Sequence, residues 1–365
     1  MALQCGIVGL PNVGKSTLFN ALTAVGVAAE NYPFCTIDPN VGVVEVPDTR
    51  LKDITQYIKP QKVVPAAVEF VDIAGLVKDA SKGEGLGNQF LGHIRQVDAI
   101  VHVVRCFENP DVVHVHGGIN PAHDIDIINT ELMLADLDAV EKRFVRTERA
   151  AKTGDKKAKE ELPVLEKLRA AFNEGKLARN VGLDDKEKEL VRELFLITMK
   201  PVLYVANISE SQVGKEDDPA IAAVEKIAAS EGTHVVPICG KIESEIAQLS
   251  GEDKEMFLKD LGLTESGLDR LARAGYELLN LATYFTAGEK EVRAWTIHKG
   301  MTAPQAAGVI HSDFERGFIR AEIYHYNDLM QYKNEQAIKE KGLLRSEGKD
   351  YIMKDGDICH FRFNV

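Results

Sequence analysis

The stretch Gly9-Leu10-Pro11-Asn12-Val13-Gly14-Lys15-Ser16-Thr17 decides the fold, because it matches the pattern GxxxxGK(S/T). An apolar run over residues 4–9 leads into it, and a helical pattern that continues to Leu22 follows it. Glycines allow the tight turn in which successive N–H groups face an anion, and the start of a helix attracts phosphate. A strand before the loop and a helix after it distinguish this match from a chance glycine-rich turn.

The residue types of the loop predict individual roles in binding a nucleotide. The Lys15 ammonium is expected to bridge the β- and γ-phosphates, and Lys15 is therefore also a candidate catalytic residue. The Ser16 hydroxyl is expected to ligate Mg²⁺. The predicted nucleotide contacts of the loop are Asn12, Val13, Gly14, Lys15, Ser16 and Thr17.

Four further apolar runs follow the first strand, and they are continuous rather than alternating. They cover residues 67–71, 99–104, 201–206 and 233–238. Continuous runs are typical of parallel strands that are covered on both faces, and helical patterns separate several of these runs. The sequence therefore predicts an α/β protein with a doubly wound P-loop sheet.

The interval between the runs at 99–104 and 201–206 is too long for one crossover helix. It contains two helical patterns joined by the polar residues 153–157, which predicts two charged antiparallel helices. A further helix is predicted over residues 184–198. The nucleotide-binding part is thus expected to carry a helical insertion.

The pattern changes after residue 281, where residues 292–297 alternate like a strand. Thr302 is placed to cap a short helix, and residues 351–353 and 358–363 flank a Lys-Asp-Gly-Asp turn that predicts a hairpin. This part is therefore expected to be a small mixed β domain. The predicted division is a nucleotide-binding domain at 1–128 and 200–280, a helical insertion at 129–199 and a β domain at 281–365.

Composition limits the partners and the compartment. The 365-residue chain has a formal net charge of −12, which disfavours general DNA binding, although residues 131–200 and 281–365 are nearly balanced in charge and leave room for an RNA or ribosome contact. Its five cysteines include no CxxC spacing, which argues against zinc or a disulfide framework. No apolar run reaches the roughly 18–20 residues of a membrane span. We expect a cytoplasmic monomer that does not contact membranes.

A second phosphate motif, Asp72-Ile73-Ala74-Gly75, follows the apolar run at 67–71. Asp72 is expected to hold Mg²⁺ through water, and the Gly75 N–H is expected to meet the γ-phosphate. Thr36 is the candidate switch residue that closes over the metal, although a loop threonine is often only solvated. The predicted metal ligands are Ser16, Thr36 and Asp72.

The nucleotide base is expected to meet the segment Asn207-Ile208-Ser209-Glu210, where a GTPase carries Asn-Lys-x-Asp. The aspartate of that motif accepts hydrogen bonds from guanine, so its replacement weakens a guanine assignment without proving adenine. Asn207 contacts the base or positions the loop, and Glu210 is either a base contact or a solvated acid. The predicted base-side residues are Asn207, Ile208, Glu210, Cys239 and Gly240.

These motifs together resemble the YchF subfamily of Obg-related P-loop proteins, the Obg-like ATPases. The resemblance implies a Ras-like core interrupted by a helical coiled-coil domain, and a C-terminal TGS domain of the β-grasp type. It also implies that ATP is preferred over GTP, that the protein associates with ribosomes or ribosomal RNA, and that it regulates translation or the stress response. The segments that carry it are residues 9–17, 31–36, 72–76, 82–90, 207–210 and 292–297.

The position that orients the attacking water in Ras-type enzymes is Leu76 here, and leucine cannot hydrogen-bond water. Hydrolysis is therefore expected to be slow, or another group orients the water. His93 and His102 are candidates that are expected to be solvated and buried, respectively. His114 is preferred on the resemblance, against the alternative of an ordinary solvated loop histidine.

Asn12 raises a separate hypothesis about cofactors. Related P-loop proteins use an asparagine at this position to help hold K⁺ beside the phosphates, where the ion would neutralise charge in the transition state. The alternative is that Asn12 only braces the loop.

The sequence thus predicts a Mg²⁺-dependent ATP hydrolase that acts as a nucleotide-dependent switch. A GTPase with a degenerate base motif and a nucleotide-sensing scaffold with negligible turnover are the alternatives.

Overall fold

The computed structural model describes residues 3–25, 40–73, 86–109, 118–215 and 217–364. Four positions singled out in the sequence lie outside the described residues: Thr36, Gly75, Leu76 and His114.

The first sheet contains the five strands predicted from apolar runs. In chain order these are β1 Gln4–Val8, β4 Ala67–Asp72, β5 Ala99–Arg105, β6 Val202–Asn207 and β7 Val235–Ile238. They lie side by side in the order β4-β1-β5-β6-β7 and are all parallel. An unpredicted strand, β2 Val41–Glu45, pairs antiparallel with β4 at the edge. Ile7, Phe70, Val101 and Tyr204 of this sheet are each 0 % exposed, so both of its faces are covered.

Helices cover the two faces of this sheet. They are α1 Lys15–Val25, α3 Leu86–Gln96, α7 Pro219–Ser230, α8 Gly240–Ile246, α9 Gly251–Asp260 and α10 Gly267–Leu278, whereas α2 Thr49–Tyr57 packs against the second sheet described below. Leu22 of α1 and Leu271 of α10 are fully buried in the same apolar cluster as the strands. The described part of the nucleotide-binding region is therefore a doubly wound α/β structure, as predicted.

The helical insertion contains the expected antiparallel pair, α4 Pro121–Lys152 and α5 Lys156–Asn173. Val140, Leu165, Leu168 and Phe172 lie in its own apolar cluster, separate from that of the sheet. Each helix begins at a side-chain cap, Asn120 for α4 and Asp155 for α5.

The single helix predicted over residues 184–198 is wrong. Helix α6, Asp185–Val191, ends early, a turn of 3₁₀ helix follows, and Phe195 adopts a left-handed backbone with φ +47°. The buried Asp136 carboxylate accepts hydrogen bonds from the amides of Ile197 at 2.9 Å and Thr198 at 2.7 Å. Those amides are thereby taken out of the helical hydrogen-bond pattern, and the chain turns.

The strands of the second sheet are β3 Lys62–Val64, β8 Leu281–Ala287, β9 Glu291–His298, β10 Phe318–His325, β11 Arg345–Glu347 and β12 Asp357–Phe363. In the described residues they lie in the order β11-β10-β12-β8-β9-β3. The helices beside it are α11 Ala303–Ile310, α12 Ser312–Arg316, α13 Tyr326–Tyr332 and α14 Glu335–Glu340. The Thr302 cap of α11 was predicted correctly and forms a capping box with Gln305.

The hairpin predicted between residues 351–353 and 358–363 is wrong. Strand β12 lies between β10, to which it is antiparallel, and β8, to which it is parallel. Both of its edges are therefore occupied, and Ile352 instead forms an isolated bridge with Thr302. The buried Asp357 carboxylate accepts hydrogen bonds from Lys354 N and the Tyr351 hydroxyl, which fixes the turn that the glycine signal indicated.

An early segment of the chain completes the second sheet. Strand β3 pairs in parallel with β9, and Lys62, Val63 and Val64 lie opposite Glu291, Val292 and Arg293. The segment between β2 and β4, two strands of the first sheet, therefore supplies a strand of the second sheet and connects the two. Among the described residues, no helix combines the length and the apolar character needed to cross a membrane.

Candidate nucleotide site

The loop after β1 has two positions that only glycine fits. A Cβ atom on Gly9 would lie 2.4 Å from the Val103 carbonyl oxygen of the neighbouring strand. Gly14 has φ +96°, and a Cβ atom there would lie 2.1 Å from the Asn207 side-chain nitrogen. Helix α1 starts directly afterwards, with Leu18 N donating to Gly14 O at 3.0 Å. The loop therefore delivers its amides to the N-terminus of an 11-residue helix.

The Lys15 ammonium lies over this loop, donating to Gly9 O at 2.8 Å and to Leu10 O at 2.7 Å. Burial lowers the pKa of Lys15 to about 8, and the neighbouring Asp72 carboxylate opposes that shift. Burial likewise raises the pKa of Asp72, and Lys15 opposes it. The lysine charge is thus only partly compensated, which favours an incoming polyanion.

A cavity of about 770 Å³ lies beside the loop, at the carboxyl ends of the parallel strands. This is where ligands bind in open α/β sheets. The cavity brings together predicted residues from three separate segments of the chain. Its lining residues are Asn12, Gly14, Lys15, Ser16, Thr17, Phe107, Glu108, Asn109, Asn207, Ile208, Ser209, Glu210, Ser211, Cys239, Gly240 and Lys241. Val13 does not line the cavity, because its side chain is 1 % exposed and packs in the core.

Asn207 ties the walls of the cavity together. Its side-chain nitrogen donates to the Val13 carbonyl at 2.8 Å, and its side-chain oxygen accepts from Gly240 N at 3.3 Å. The residue is buried at the end of β6. Of the two roles considered for Asn207, these contacts support positioning of the loop.

Glu210 and Lys241 lie at the mouth of the cavity. Glu210 Oε1 is 2.5 Å from Lys241 Nζ, and both side chains are exposed. The preceding Ser209 forms a capping box with Gln212, whose side-chain nitrogen donates to Cys106 O at 2.8 Å. The base-side loop is therefore anchored to the end of strand β5.

Residues 107–109 form a wall that the sequence reasoning missed. The Arg105 guanidinium, 2 % exposed, donates to Phe107 O at 3.1 Å and Asn109 O at 3.2 Å, and it lies 4.7 Å from the Phe107 ring centroid. A signal was available, because residues that follow a central parallel strand face the same edge as the P-loop. Phe107 offers the cavity an aromatic surface of the kind on which bases stack.

Two of the three predicted metal ligands can be compared with the requirements of Mg²⁺. Ser16 lies exposed in the first turn of α1 and lines the cavity. Asp72, the last residue of β4, lies opposite Ile7 of β1. Burial lowers the pKa of Lys15, and the negative charge of Asp72 opposes that shift. A hydroxyl and a carboxylate are hard oxygen donors of the kind Mg²⁺ takes in phosphate sites, so these residues fit the ion.

Two of the three histidines considered for orienting water are described, and their burial is as predicted. His93 lies on α3 and is exposed. His102 is 2 % exposed within β5, with its ring 5.4 Å from that of Tyr204. Burial, with the positive charges of Arg179 and Lys15, lowers the pKa of His102 to about 3. His102 is therefore a neutral core residue.

A strand, a glycine-rich loop and a helix placed at the carboxyl edge of a parallel sheet define a P-loop nucleotide-binding protein. Two family profiles match the chain: "50S ribosome-binding GTPase" over residues 4–144, and YchF-GTPase_C, "Protein of unknown function (DUF933)", over residues 281–364.

The "Ribosome-binding ATPase YchF" of Haemophilus influenzae is 59 % identical, with 100 % of both chains covered. Its namesake in Bacillus subtilis is 58 % identical, also with 100 % of both chains covered. The structure of the Schizosaccharomyces pombe YchF GTPase superposes with a TM-score of 0.89 at 42 % identity, covering 99 % of this chain and 97 % of the other. The chain belongs to the YchF family.

Proposed function

We propose that this protein is a Mg²⁺-dependent ATP hydrolase that acts as a nucleotide-dependent switch and associates with ribosomes. The observation that carries the catalytic part is that Lys15 and Ser16 line one cavity, and that the Asp72 carboxylate lies near enough for its charge to act on Lys15. The names of the full-length relatives support ATP and ribosomes as partners. We assign ATP hydrolysis to residues 1–128 and 200–280, and contact with the ribosome to residues 129–199 and 281–365.

Phosphate binding follows from the loop. When a triphosphate enters, the Lys15 ammonium exchanges the carbonyl oxygens of Gly9 and Leu10 for phosphate oxygens, which carry full negative charge and make stronger hydrogen bonds. The Ser16 hydroxyl would ligate Mg²⁺ and Asp72 would hold it through water, and Thr36 is proposed to complete the ligand set. The ion neutralises charge on the phosphates when it is bound.

The preference for adenine is argued from what the base-side loop can offer. Asn207 has both ends of its amide engaged with backbone groups. The Glu210 carboxylate is paired with Lys241, which leaves it less able to accept from guanine N1–H and the 2-amino group. Guanine binding would leave those donors poorly matched, and such mismatches discriminate strongly. Competition of ATP against GTP for the purified protein tests this directly.

The group that orients water is proposed to be His114, since Leu76 at the usual position cannot do so. Gly75 N–H is proposed to contact the γ-phosphate. Replacing His114 with alanine should slow turnover while leaving ATP affinity unchanged. An unchanged rate removes the histidine from the mechanism.

Asn12 is proposed to help hold K⁺ beside the phosphates. Its side chain lines the cavity next to the loop amides, and amide oxygens are suitable ligands for such an ion. Turnover should be faster in potassium than in sodium buffers at equal ionic strength. Equal rates would leave Asn12 with a bracing role only.

The decisive experiment for the whole proposal is the Lys15→Ala variant. Loss of ATP affinity and turnover is expected, with the fold retained by circular dichroism. Unchanged affinity and turnover would contradict the phosphate assignment. A scaffold with negligible turnover is separated from an enzyme by single-turnover phosphate release from the wild-type protein.

A further inference from the structure

The two long helices of the helical insertion are joined by a turn that hydrogen bonds hold in one geometry. Helix α4 stops at Lys152, α5 starts at Lys156, and only residues 153–155 lie between them. Gly154 N donates to Ala151 O at 3.1 Å and Asp155 N donates to Ala150 O at 3.2 Å, which closes the end of α4. The Asp155 carboxylate accepts from Ala158 N at 2.9 Å and caps α5. Residues 146–159, here named the hairpin tip, are therefore held in one geometry.

The hairpin tip is strongly basic within an acidic protein. It contains six basic and two acidic residues, whereas the whole chain has a net charge of −12. All six basic residues are exposed: Arg146, Arg149, Lys152, Lys156, Lys157 and Lys159. The net charge of the whole insertion does not reveal this local excess of positive charge, because residues 131–200 together are nearly neutral.

Four of these cations have no ion-pair partner within 4.0 Å among the described residues: Arg146, Arg149, Lys156 and Lys159. The other basic residues of α4, α5 and α6 are paired, for example Arg143 with Glu161 at 2.7 Å and Lys186 with Glu160 at 3.0 Å. The uncompensated positive charge of the insertion is therefore confined to the hairpin tip.

The placement of these charges works against the stability of α5. The first turn of α5 has no acidic residue and begins with Lys156 and Lys157. Positive charge is unfavourable near a helix N-terminus, where the helix dipole is positive. Helix α6 in the same insertion has the usual arrangement, with Asp185 and Glu187 in its first turn. Folding alone thus gives no reason for the unpaired Lys156 at the start of α5.

The composition of the hairpin tip identifies the partner. Between the charged residues it carries only Ala, Thr and Gly, with no aromatic or large aliphatic side chain. Protein interfaces depend on buried aromatic or aliphatic anchors, and membrane-surface helices insert apolar side chains. Contact with phosphates requires only positioned cations.

We propose that the hairpin tip binds the phosphate backbone of RNA, independently of base sequence. The proposal rests on the proposed ribosome association and names the surface that makes the contact. Arg146, Arg149, Lys156 and Lys159 supply the cations, and the fixed turn presents them together. For binding of this kind, the logarithm of the affinity falls linearly as the logarithm of the salt concentration rises, because counterions are released.

The test replaces Arg146, Arg149, Lys156 and Lys159 together with glutamine and measures affinity for a labelled hairpin RNA. Affinity at low salt is expected to fall at least about 30-fold, and the salt slope is expected to decrease by about 3. ATP turnover in the absence of ribosomes should be unchanged. The matched control replaces the paired cations Lys167, Arg169, Lys176 and Lys186 with glutamine, which changes the net charge equally. Its affinity should change less than about threefold.

A second variant, Lys156→Glu, separates binding from stability. Its thermal unfolding midpoint should rise, because an acidic residue then occupies the first turn of α5, while RNA affinity falls. RNA affinity equal to wild type in both tip variants overturns the inference. Binding to phosphatidylserine vesicles but not to RNA also overturns it, in favour of a membrane surface.

Cosedimentation with purified ribosomes distinguishes this inference from the proposed function. If wild-type protein binds hairpin RNA through the tip but does not cosediment, the inference stands and ribosome association fails. If wild-type and tip variant cosediment equally, ribosome association stands and the inference fails.

Discussion

The side-chain nitrogen of Asn207 donates a 2.8 Å hydrogen bond to the carbonyl oxygen of Val13. One residue at the end of β6 thereby fixes the phosphate loop that follows β1, although the two residues are 194 positions apart in the chain. The Asn207 oxygen also accepts from Gly240 N, so the same side chain holds the base-side wall. A single buried amide therefore fixes the position of the loop after β1 relative to the cavity wall at Gly240.

Replacing Asn207 with alanine should weaken ATP binding about 10- to 100-fold. The Val13 carbonyl and the Gly240 amide would each lose a partner in a buried place, and such a loss costs about 1–3 kcal/mol. Titration calorimetry with a non-hydrolysable ATP analogue measures the effect. The control is Ser211→Ala, which alters an exposed residue of the same cavity and should change affinity less than about threefold. Equal affinities in the two variants would contradict the positioning role of Asn207.

ATP binding should become weaker as the pH rises above about 8. Burial lowers the pKa of Lys15 to about 8 in the free protein, so the side chain loses its proton above that pH. Bound phosphates favour the ammonium and raise its pKa, so binding takes up a proton in this range. The contribution of Lys15 to the affinity is therefore constant below about pH 7, and the affinity falls by up to about tenfold per pH unit above 8.

Calorimetry at pH 8 in buffers of different ionisation enthalpy measures that proton uptake. Lys241→Met is the control. Glu210 raises the pKa of Lys241, so Lys241 of the wild-type protein remains protonated at pH 8 and does not contribute to the proton uptake. The uptake should therefore persist in the variant. A binding enthalpy independent of the buffer would contradict a titrating Lys15.

The Arg50→Ala variant should lower the free energy of unfolding by about 1–3 kcal/mol. Arg50 donates to Asp48 at 2.9 Å and to Asp355 at 2.6 Å, and its guanidinium lies 5.3 Å from the Phe285 ring centroid. It therefore links α2 to the second sheet, which β3 also joins. Urea unfolding followed by circular dichroism measures the change.

Arg273→Ala is the matched control for Arg50. Arg273 also forms a two-contact ion pair, with Glu265, but it lies on the surface of α10. Exposed pairs contribute about 0–1 kcal/mol. Equal losses for Arg50→Ala and Arg273→Ala would show that the link between the sheets contributes nothing beyond a surface ion pair.

The parts of the fold that could be predicted are those in which local sequence and tertiary packing agree. The apolar runs that became β1, β4, β5, β6 and β7 are continuous because both faces of those strands are covered. The phosphate loop was predictable because its glycines, lysine and hydroxyl occupy fixed spacings.

The parts that could not be predicted depend on distant partners. Strand β3 has only three residues, and its partner β9 lies more than 200 positions later in the chain, so no local pattern indicates this strand. Phe107 reaches the cavity because Arg105 holds the backbone that follows β5. The position of β12 between β8 and β10 likewise overrides the local hairpin signal near Gly356.

The early end of α6 yields a final prediction about the helical insertion. Asp136 is 0 % exposed and accepts from Ile197 N, Thr198 N and the Thr198 hydroxyl at 2.7–2.9 Å. Asp136→Ala leaves these buried donors without an acceptor, and the free energy of unfolding should fall by about 2–4 kcal/mol. Asp138→Ala is the control on the same helix, because Asp138 is 61 % exposed and pairs only with exposed Lys142 among the described residues. It should change stability by less than about 0.5 kcal/mol. A small effect of Asp136→Ala would mean that the turn after α6 forms without its carboxylate anchor, and the explanation given for the broken helix would be wrong.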